Sequence, residues 1–166
     1  MRYLLIFLLL LSCKSKEIVR EEVYDFPVKE TDTIKDIHHV SFDKDITKDG
    51  TGSLRIEVSS PTTIELLKIK NPKVENALVI CEAMLKAEDV KGMAYLDIEY
   101  RIPNKGLFFA KGYKNPSTGT HGWVKKTVKF RLAKNESPEY INIRVSFTGS
   151  GRLWVDNIKI YKEIKK

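Results

Sequence analysis

From His38 onward, apolar and polar residues alternate with a period of two, the mark of strands buried on one face. Leu54, Ile56 and Val58 alternate with Arg55 and Glu57. Ala94, Leu96, Ile98, Tyr100 and Ile102 alternate with Tyr95, Asp97, Glu99 and Arg101. Val124, Val128, Phe130 and Leu132 alternate with Lys125, Thr127, Lys129 and Arg131, and Ile141, Ile143, Val145 and Phe147 with Tyr140, Asn142, Arg144 and Ser146. The run Ala77 to Leu85 is apolar on both parities, which predicts a central strand covered on both faces. Turn formers separate these runs at Asp49-Gly50-Thr51-Gly52, Asn71-Pro72, Pro103-Asn104-Lys105-Gly106, Asn115-Pro116, Ser137-Pro138 and Gly149-Ser150-Gly151. Short strands at regular spacing, with no helical period in residues 38–166, predict one all-β, antiparallel β-sandwich domain. In the last strand Leu153 and Val155 share one parity while Ile158 and Ile160 have the other. A β-bulge near Asp156-Asn157 absorbs the extra residue and leaves Trp154 and Asp156 on the face opposite Leu153 and Val155.

The N-terminus follows another logic. Arg2 precedes eight apolar residues, Leu4 to Leu11, then Ser12-Cys13. A run this short cannot cross a bilayer as a helix, which needs about 20 residues; it has the layout of a secretory signal peptide. Leu10-Leu11-Ser12-Cys13 resembles the lipobox of bacterial lipoproteins. The resemblance implies a signal peptide over residues 1–12 and a lipid-bearing (palmitate-type acyl) Cys13 as mature N-terminus, anchoring an exported protein to the membrane. Lys14 after the cysteine implies the outer membrane. Residues 13–37 are charged and aperiodic and read as a flexible tether, with room for a short helix over residues 18–24. Cys81 remains as a lone cysteine in an apolar run, which excludes an internal disulfide and predicts a small buried hydrophobe.

Charge narrows the partners. The formal net charge is +7, and because residues 1–37 sum to −1, residues 38–166 carry +8. A basic domain suits an acidic partner such as lipopolysaccharide, anionic lipid or an acidic glycan. The lysines are scattered, which serves solubility equally well and, in an exported chain, argues against nucleic acid.

Gly149-Ser150-Gly151-Arg152-Leu153-Trp154-Val155-Asp156-Asn157-Ile158 resembles the closing strand of jelly-roll carbohydrate-binding modules in the galactose-binding-like superfamily. Asp49-Gly50-Thr51-Gly52-Ser53-Leu54-Arg55-Ile56 is similar to an early strand of that fold, and Ser117 to Trp123 to the loop before its penultimate strand pair. The resemblance implies a jelly-roll β-sandwich over residues 38–166. It says less of function, because this superfamily also holds lipid binders and protein contacts. It implies a structural calcium site at Asp156, to which Asp43 and Asp49 add oxygens, calcium requiring six to eight.

The resemblance also sets the strand of Ala94–Ile102 beside that of Ile141–Phe147. Tyr95, Asp97, Glu99, Arg101, Tyr140, Asn142 and Arg144 then share one outward face. Aromatic rings stack on sugar C–H faces, while carboxylates, amides and guanidinium groups pair with hydroxyls. The same strip is also what a solvated sheet face with cross-strand ion pairs, such as Glu99 with Arg144, looks like. Phe108, Phe109 and Tyr113 flank an irregular loop, Gly112 to Gly122, that shapes one end of a groove, and Trp123 is a candidate sugar platform or an edge-packing residue. His38 and His39 lack a metal-like partner set, and His121 reads as a turn residue. The expected function is a non-catalytic carbohydrate-binding module tethered to the membrane. The alternative is a structural lipoprotein that contacts an envelope protein. Asp97 and Glu99 share a face as glycosidase carboxylates do, which leaves a glycoside hydrolase as a remote third reading.

Overall fold

The computed structural model describes residues 17–26, 28 and 38–165. Cys13, the apolar run before it and most of residues 27–37 lie outside the described residues. Nine strands and no helix make up the described chain: β1 (Ile18–Phe26), β2 (Val40–Asp43), β3 (Ser53–Val58), β4 (Thr62–Lys70), β5 (Leu78–Ile102), β6 (Gly106–Lys111), β7 (Ser117–Arg131), β8 (Tyr140–Phe147) and β9 (Gly151–Lys165). All pairings are antiparallel.

The strands form one sheet, ordered β2-β3-β9-β5-β8-β4 with β1, β6 and β7 branching from it, that folds over on itself. The fold line runs through β5. Its first half pairs with β7 and β9 (Cys81 faces Val128 and Ile160), and its second half with β6 and β8 (Ile98 faces Ala110 and Ile143). Between Leu85 and Ala94 the register with β7 breaks three times, and Asp89 and Gly92 adopt left-handed backbone angles (φ 51° and 81°). Bulges of this kind bend a strand sharply without ending it. The turn at Gly149–Gly151 packs against this bend, where Lys91 N donates to Ser150 O (2.8 Å). A Cβ on Gly151 would stand 2.6 Å from Val90 Cα, so the glycine is required by close approach.

Folding the sheet brings its two inner faces into one core. Leu54, Ile56, Val79, Leu85, Leu153, Val155, Ile158 and Ile160 come from one layer, and Ile64, Leu96, Ile98, Ile141, Ile143 and Val145 from the other. Each such side chain contributes about 1.5–3 kcal/mol by leaving water. Tyr100 links the layers, stacking on Phe108 of β6 (5.5 Å) and Phe130 of β7 (4.1 Å). Cys81 is buried, and burial pushes its thiol up to about 12. It is the small core residue its apolar context predicts.

The parity rules hold across β3, β8 and the second half of β5. The bulge in β9 is also found. Glu82 and Met84 face Lys159 and Asp156, so β9 carries one residue more than β5 there, and Asn157 takes φ 52°. Trp154 and Asp156 stand on the outer face of the sheet, but the β2–β3 loop and Lys86 roof them over, leaving 2% and 0% exposed.

Three expectations need correction. Part of the expected tether is strand β1, with no helix: Ile18–Phe26 lies along the second half of β9 through a bulge between Glu22 and Tyr24, aided by Arg20–Glu82 (3.0 Å) and Lys162–Glu21 (2.8 Å). The bulge shifts its parity midway, and its apolar residues come as adjacent pairs, Ile18-Val19 and Val23-Tyr24, around the charged run Arg20-Glu21-Glu22, which conceals a strand from a period-two reading. The loop expected over Gly112–Gly122 ends at Pro116, because Ser117 onward pairs irregularly with the bend of β5. On β7, Val124 is exposed (40%) while Lys126 is buried, because the apolar core ends at Val128 and the Lys126 ammonium turns to the carbonyl oxygens of Asn115 (3.1 Å) and Pro116 (2.8 Å).

Because Asn157 alone supplies the left-handed residue of the β9 bulge, Asn157→Gly is expected to leave stability within about 1 kcal/mol, and Asn157→Val to cost about 1–3 kcal/mol, read by urea denaturation.

Candidate functional site

The outer face of the layer β4–β8–β5–β6 gathers most of the residues singled out in the sequence. On β5 and β8, Asp97 faces Arg144, Glu99 faces Asn142, Arg101 faces Tyr140 and Tyr95 faces Ser146. Alternation alone puts these side chains on one side, but pairing places them in reach of each other. The Arg144 guanidinium is shared by two carboxylates: Nη1 donates to Glu99 Oε2 (2.5 Å) and Nη2 to Asp97 Oδ2 (3.1 Å). Ser146 Oγ donates to the same Asp97 oxygen (2.9 Å) and lies 2.9 Å from Thr63 Oγ1 on β4. Tyr140 Oη donates to Glu99 Oε1 (3.1 Å), and Asn142 Nδ2 to Glu65 Oε1 (2.8 Å). Burial, together with the Glu99 carboxylate, holds the Tyr140 hydroxyl above its ordinary pKa.

This network forms a floor rather than an open surface. Asp97 is 1% exposed, Asn142 0% and Tyr95 6%. Asp97 Oδ1, Asn142 Oδ1 and Arg144 Nε are buried with no hydrogen-bond partner among the described residues. The expected exposed tyrosine platform at Tyr95 is therefore absent, because the Tyr113 ring packs on it at 4.6 Å. Arg101 leaves the group to pair with Glu139 (3.2 Å) at the rim.

The open aromatic rings belong to the β6 edge. Alternation along β6 turns Phe108 inward onto Tyr100 and Phe109 outward, opposite Glu99. Phe109 is 50% exposed and sits over Arg144 (ring centroid to Cζ 5.0 Å); Tyr113 is 51% exposed. Lys111 stands between them, its Nζ 5.8 Å from the Phe109 ring and 5.6 Å from the Tyr113 ring. A close approach fixes this corner: Gly112 N donates to Leu96 O (2.9 Å), where a Cβ would come within 2.8 Å of that oxygen. The Lys126 ammonium ties down Asn115 and Pro116 beyond. At the opposite edge, on β4, Lys68 lies over the Tyr140 ring (Nζ to centroid 3.7 Å). Beside it a cavity of about 360 Å³ is lined by Tyr24, Glu65, Leu67, Lys70 and Asn142. Phe109, Lys111, Lys68 and Glu65 were not candidate ligand residues from sequence; the alternation of Leu107, Phe109 and Lys111 was the available signal for the first two.

Trp123 is half-buried on β7, beside a register break, and belongs to the other layer. The candidate calcium residues act as caps of the β2–β3 loop. Asp43 Oδ1 accepts from the N–H groups of Asp45 (3.0 Å) and Ile46 (2.9 Å), and its Oδ2 from the Trp154 indole (2.8 Å). Burial pulls the Asp43 carboxyl up, but these hydrogen bonds outweigh it and hold the group below its ordinary value. Asp49 Oδ1 accepts from Thr51 N (2.9 Å), and Asp156 Oδ2 from Lys48 N (2.7 Å). Among the described residues no group of three or more His, Cys, Asp or Glu converges on a metal position.

Solved structures similar in fold are carbohydrate-binding modules. "Family 16 Carbohydrate Binding Module-2" matches with a TM-score of 0.57 at 17% identity, over 78% of this chain and 91% of that one. The CBM22-1 xylan-binding domain from Paenibacillus barcinonensis Xyn10C matches with a TM-score of 0.54 at 14% identity, over 93% and 99%. A family 30 carbohydrate-binding module matches at 0.51 and 17% identity, over 89% and 90%. The chain thus has the jelly-roll β-sandwich fold of these modules, as its closing strand implied. No protein-family model matches it, and no curated protein matches it by sequence.

Asp97 is almost completely buried beside Arg144, so loss of the cation strands a carboxylate in the sheet. Arg144→Met is expected to cost about 3–5 kcal/mol by urea denaturation, with part recovered in the double variant Asp97→Asn, Arg144→Met.

Proposed function

We propose that this chain is a non-catalytic carbohydrate-binding module whose ligand lies on the β4–β8–β5–β6 face. The observation that carries the reading is the pair of half-exposed rings, Phe109 and Tyr113, beside a floor of preorganised polar groups. Phe109 on β6 and Tyr113 in the turn after it offer two separate rings, 5.8 and 5.6 Å from the Lys111 ammonium between them. Rings held at the rim stack on C–H faces, and the partly exposed members of the floor, Glu99, Tyr140 and Arg144, offer donors and acceptors without further ordering cost. The fold shared with carbohydrate-binding modules supports the reading. Asp97 and Glu99 are held by one guanidinium group, which suits a structural floor better than a general acid and nucleophile, so we assign them no catalytic role. Affinity electrophoresis and a glycan array test the proposal. At least one polysaccharide is expected to be retained, with about tenfold loss in Phe109→Ala at unchanged melting temperature and a similar loss in Tyr113→Ala, which also uncovers Tyr95. No retention by any glycan would rule it out.

We also propose that the module is lipid-anchored through Cys13 in the cell envelope, at the outer membrane. The support is the short apolar run ending in Leu-Leu-Ser-Cys after a single arginine. In the native host, Cys13→Ser is expected to abolish labelling by a clickable fatty acid and to move the protein from the membrane to the soluble fraction. Unchanged labelling and fractionation would contradict the anchor.

A further inference from the structure

The carboxylates and cations of the candidate face are spent very differently. Asp97 and Glu99 point into the floor and share Arg144, with Ser146 and Tyr140 taking further lone pairs. Glu65 accepts from Asn142. The negative charge of this face is therefore largely withdrawn from an incoming ligand. The lysines at its edges are not withdrawn. Lys111 is exposed and Lys68 half-exposed, and neither makes an ion pair with a described carboxylate. Lys111 carries its ammonium between the two open rings, and the Tyr113 hydroxyl holds its pKa above the ordinary lysine value. Lys68 carries its own over Tyr140 at the far edge. Three strand spacings separate β4 from β6, so the two cations flank a floor about 14 Å across.

We infer that the ligand of this face is an anionic glycan bearing uronate carboxylates, with Lys111 and Lys68 as the residues that select for charge. The inference rests on the glycan-binding reading and deepens it. A pyranose stacked on Phe109 or Tyr113 projects its ring substituents sideways, and a carboxylate in that position meets the Lys111 ammonium. A neutral sugar stacks equally well but brings that ammonium no anionic partner, so the preference comes from charge added to a shared stacking platform. The +8 charge of residues 38–166 attracts such polymers from a distance, while selection is local to the two edges.

The experiment compares polygalacturonate with the same polymer fully methyl-esterified, which keeps the backbone and removes the charge. Xylan serves as a neutral glycan and dextran sulfate as a sulfated one. The expected result is at least tenfold tighter binding to polygalacturonate than to its ester, weakening as salt rises from 50 to 500 mM. Lys111→Gln with Lys68→Gln is expected to reduce that preference to less than threefold without changing the melting temperature. Phe109→Ala is expected to weaken binding to polygalacturonate, which bulk attraction by a basic domain would not require. Equal binding to acid and ester, or a preference for xylan, overturns the anionic assignment and leaves the glycan reading standing. Tighter binding to dextran sulfate overturns the uronate assignment. Polygalacturonate binding unaffected by Phe109→Ala, or an unchanged preference in the double lysine variant, overturns the location. Retention by none of the polymers removes the inference, and the reading beneath it falls only if the glycan array is blank as well.

Discussion

A sheet whose two halves must bury each other has to cross from one layer to the other, and here a single 25-residue strand makes that crossing. β5 gives its first half to one layer and its second half to the other, and bends between them where Asp89 and Gly92 adopt left-handed backbone angles. Every other strand except β2, β1, β3 and β4 pairs with it directly. The bend aligns Leu85 and Val79 with Leu96 and Ile98 in one core, and it also points the alternate residues, Tyr95, Asp97 and Glu99, away from that core. Core and candidate site are thus two faces of one segment. The Gly149–Gly151 turn, pressed against the bend, couples the start of β9 to the same geometry.

The chemistry of the outer face follows from how sharply burial divides it. In the middle, two carboxylates and a guanidinium group lie nearly out of water, where an unmatched charge is costly and a matched one is rigid. At the edges, the Phe109 and Tyr113 rings stay half-exposed to water, and Lys111 is exposed between them. A rigid polar floor with an aromatic, basic rim is suited to a ligand that presents C–H faces, hydroxyls and acidic groups together. The opposite layer uses similar residues otherwise. Trp154 is closed over by Lys86 and by an aspartate-capped loop, so its ring supports the fold and is not available as a platform.

Much of the fold was legible because period-two alternation reports one buried face, whatever that face packs against. It located β3, β8 and the second half of β5, a run apolar on both parities located the first half, and the parity switch after Val155 located the bulge at Asn157. Strand β1 was not legible because its apolar residues fall in adjacent pairs on either side of a charged run and its bulge shifts the parity before Phe26 reaches the core. Nor could parity separate Tyr95 from Phe109. Both face outward, but Tyr95 is covered by a ring 18 residues further along the chain, while Phe109 sits on an edge strand and stays 50% exposed.

The sequence alone thus determined the strand class, the outward set Tyr95, Asp97, Glu99, Tyr140, Asn142 and Arg144, and the buried character of Cys81, because each depends on local periodicity and composition. Only the tertiary structure decided which outward residues remain reachable. Arg144 drawing Asp97 and Glu99 into a floor, Tyr113 capping Tyr95 and the bare β6 edge exposing Phe109 and Lys111 are all contacts between segments far apart in sequence. Accessibility is a property of the whole surface, set by what packs over a residue, and no local pattern along the chain encodes it.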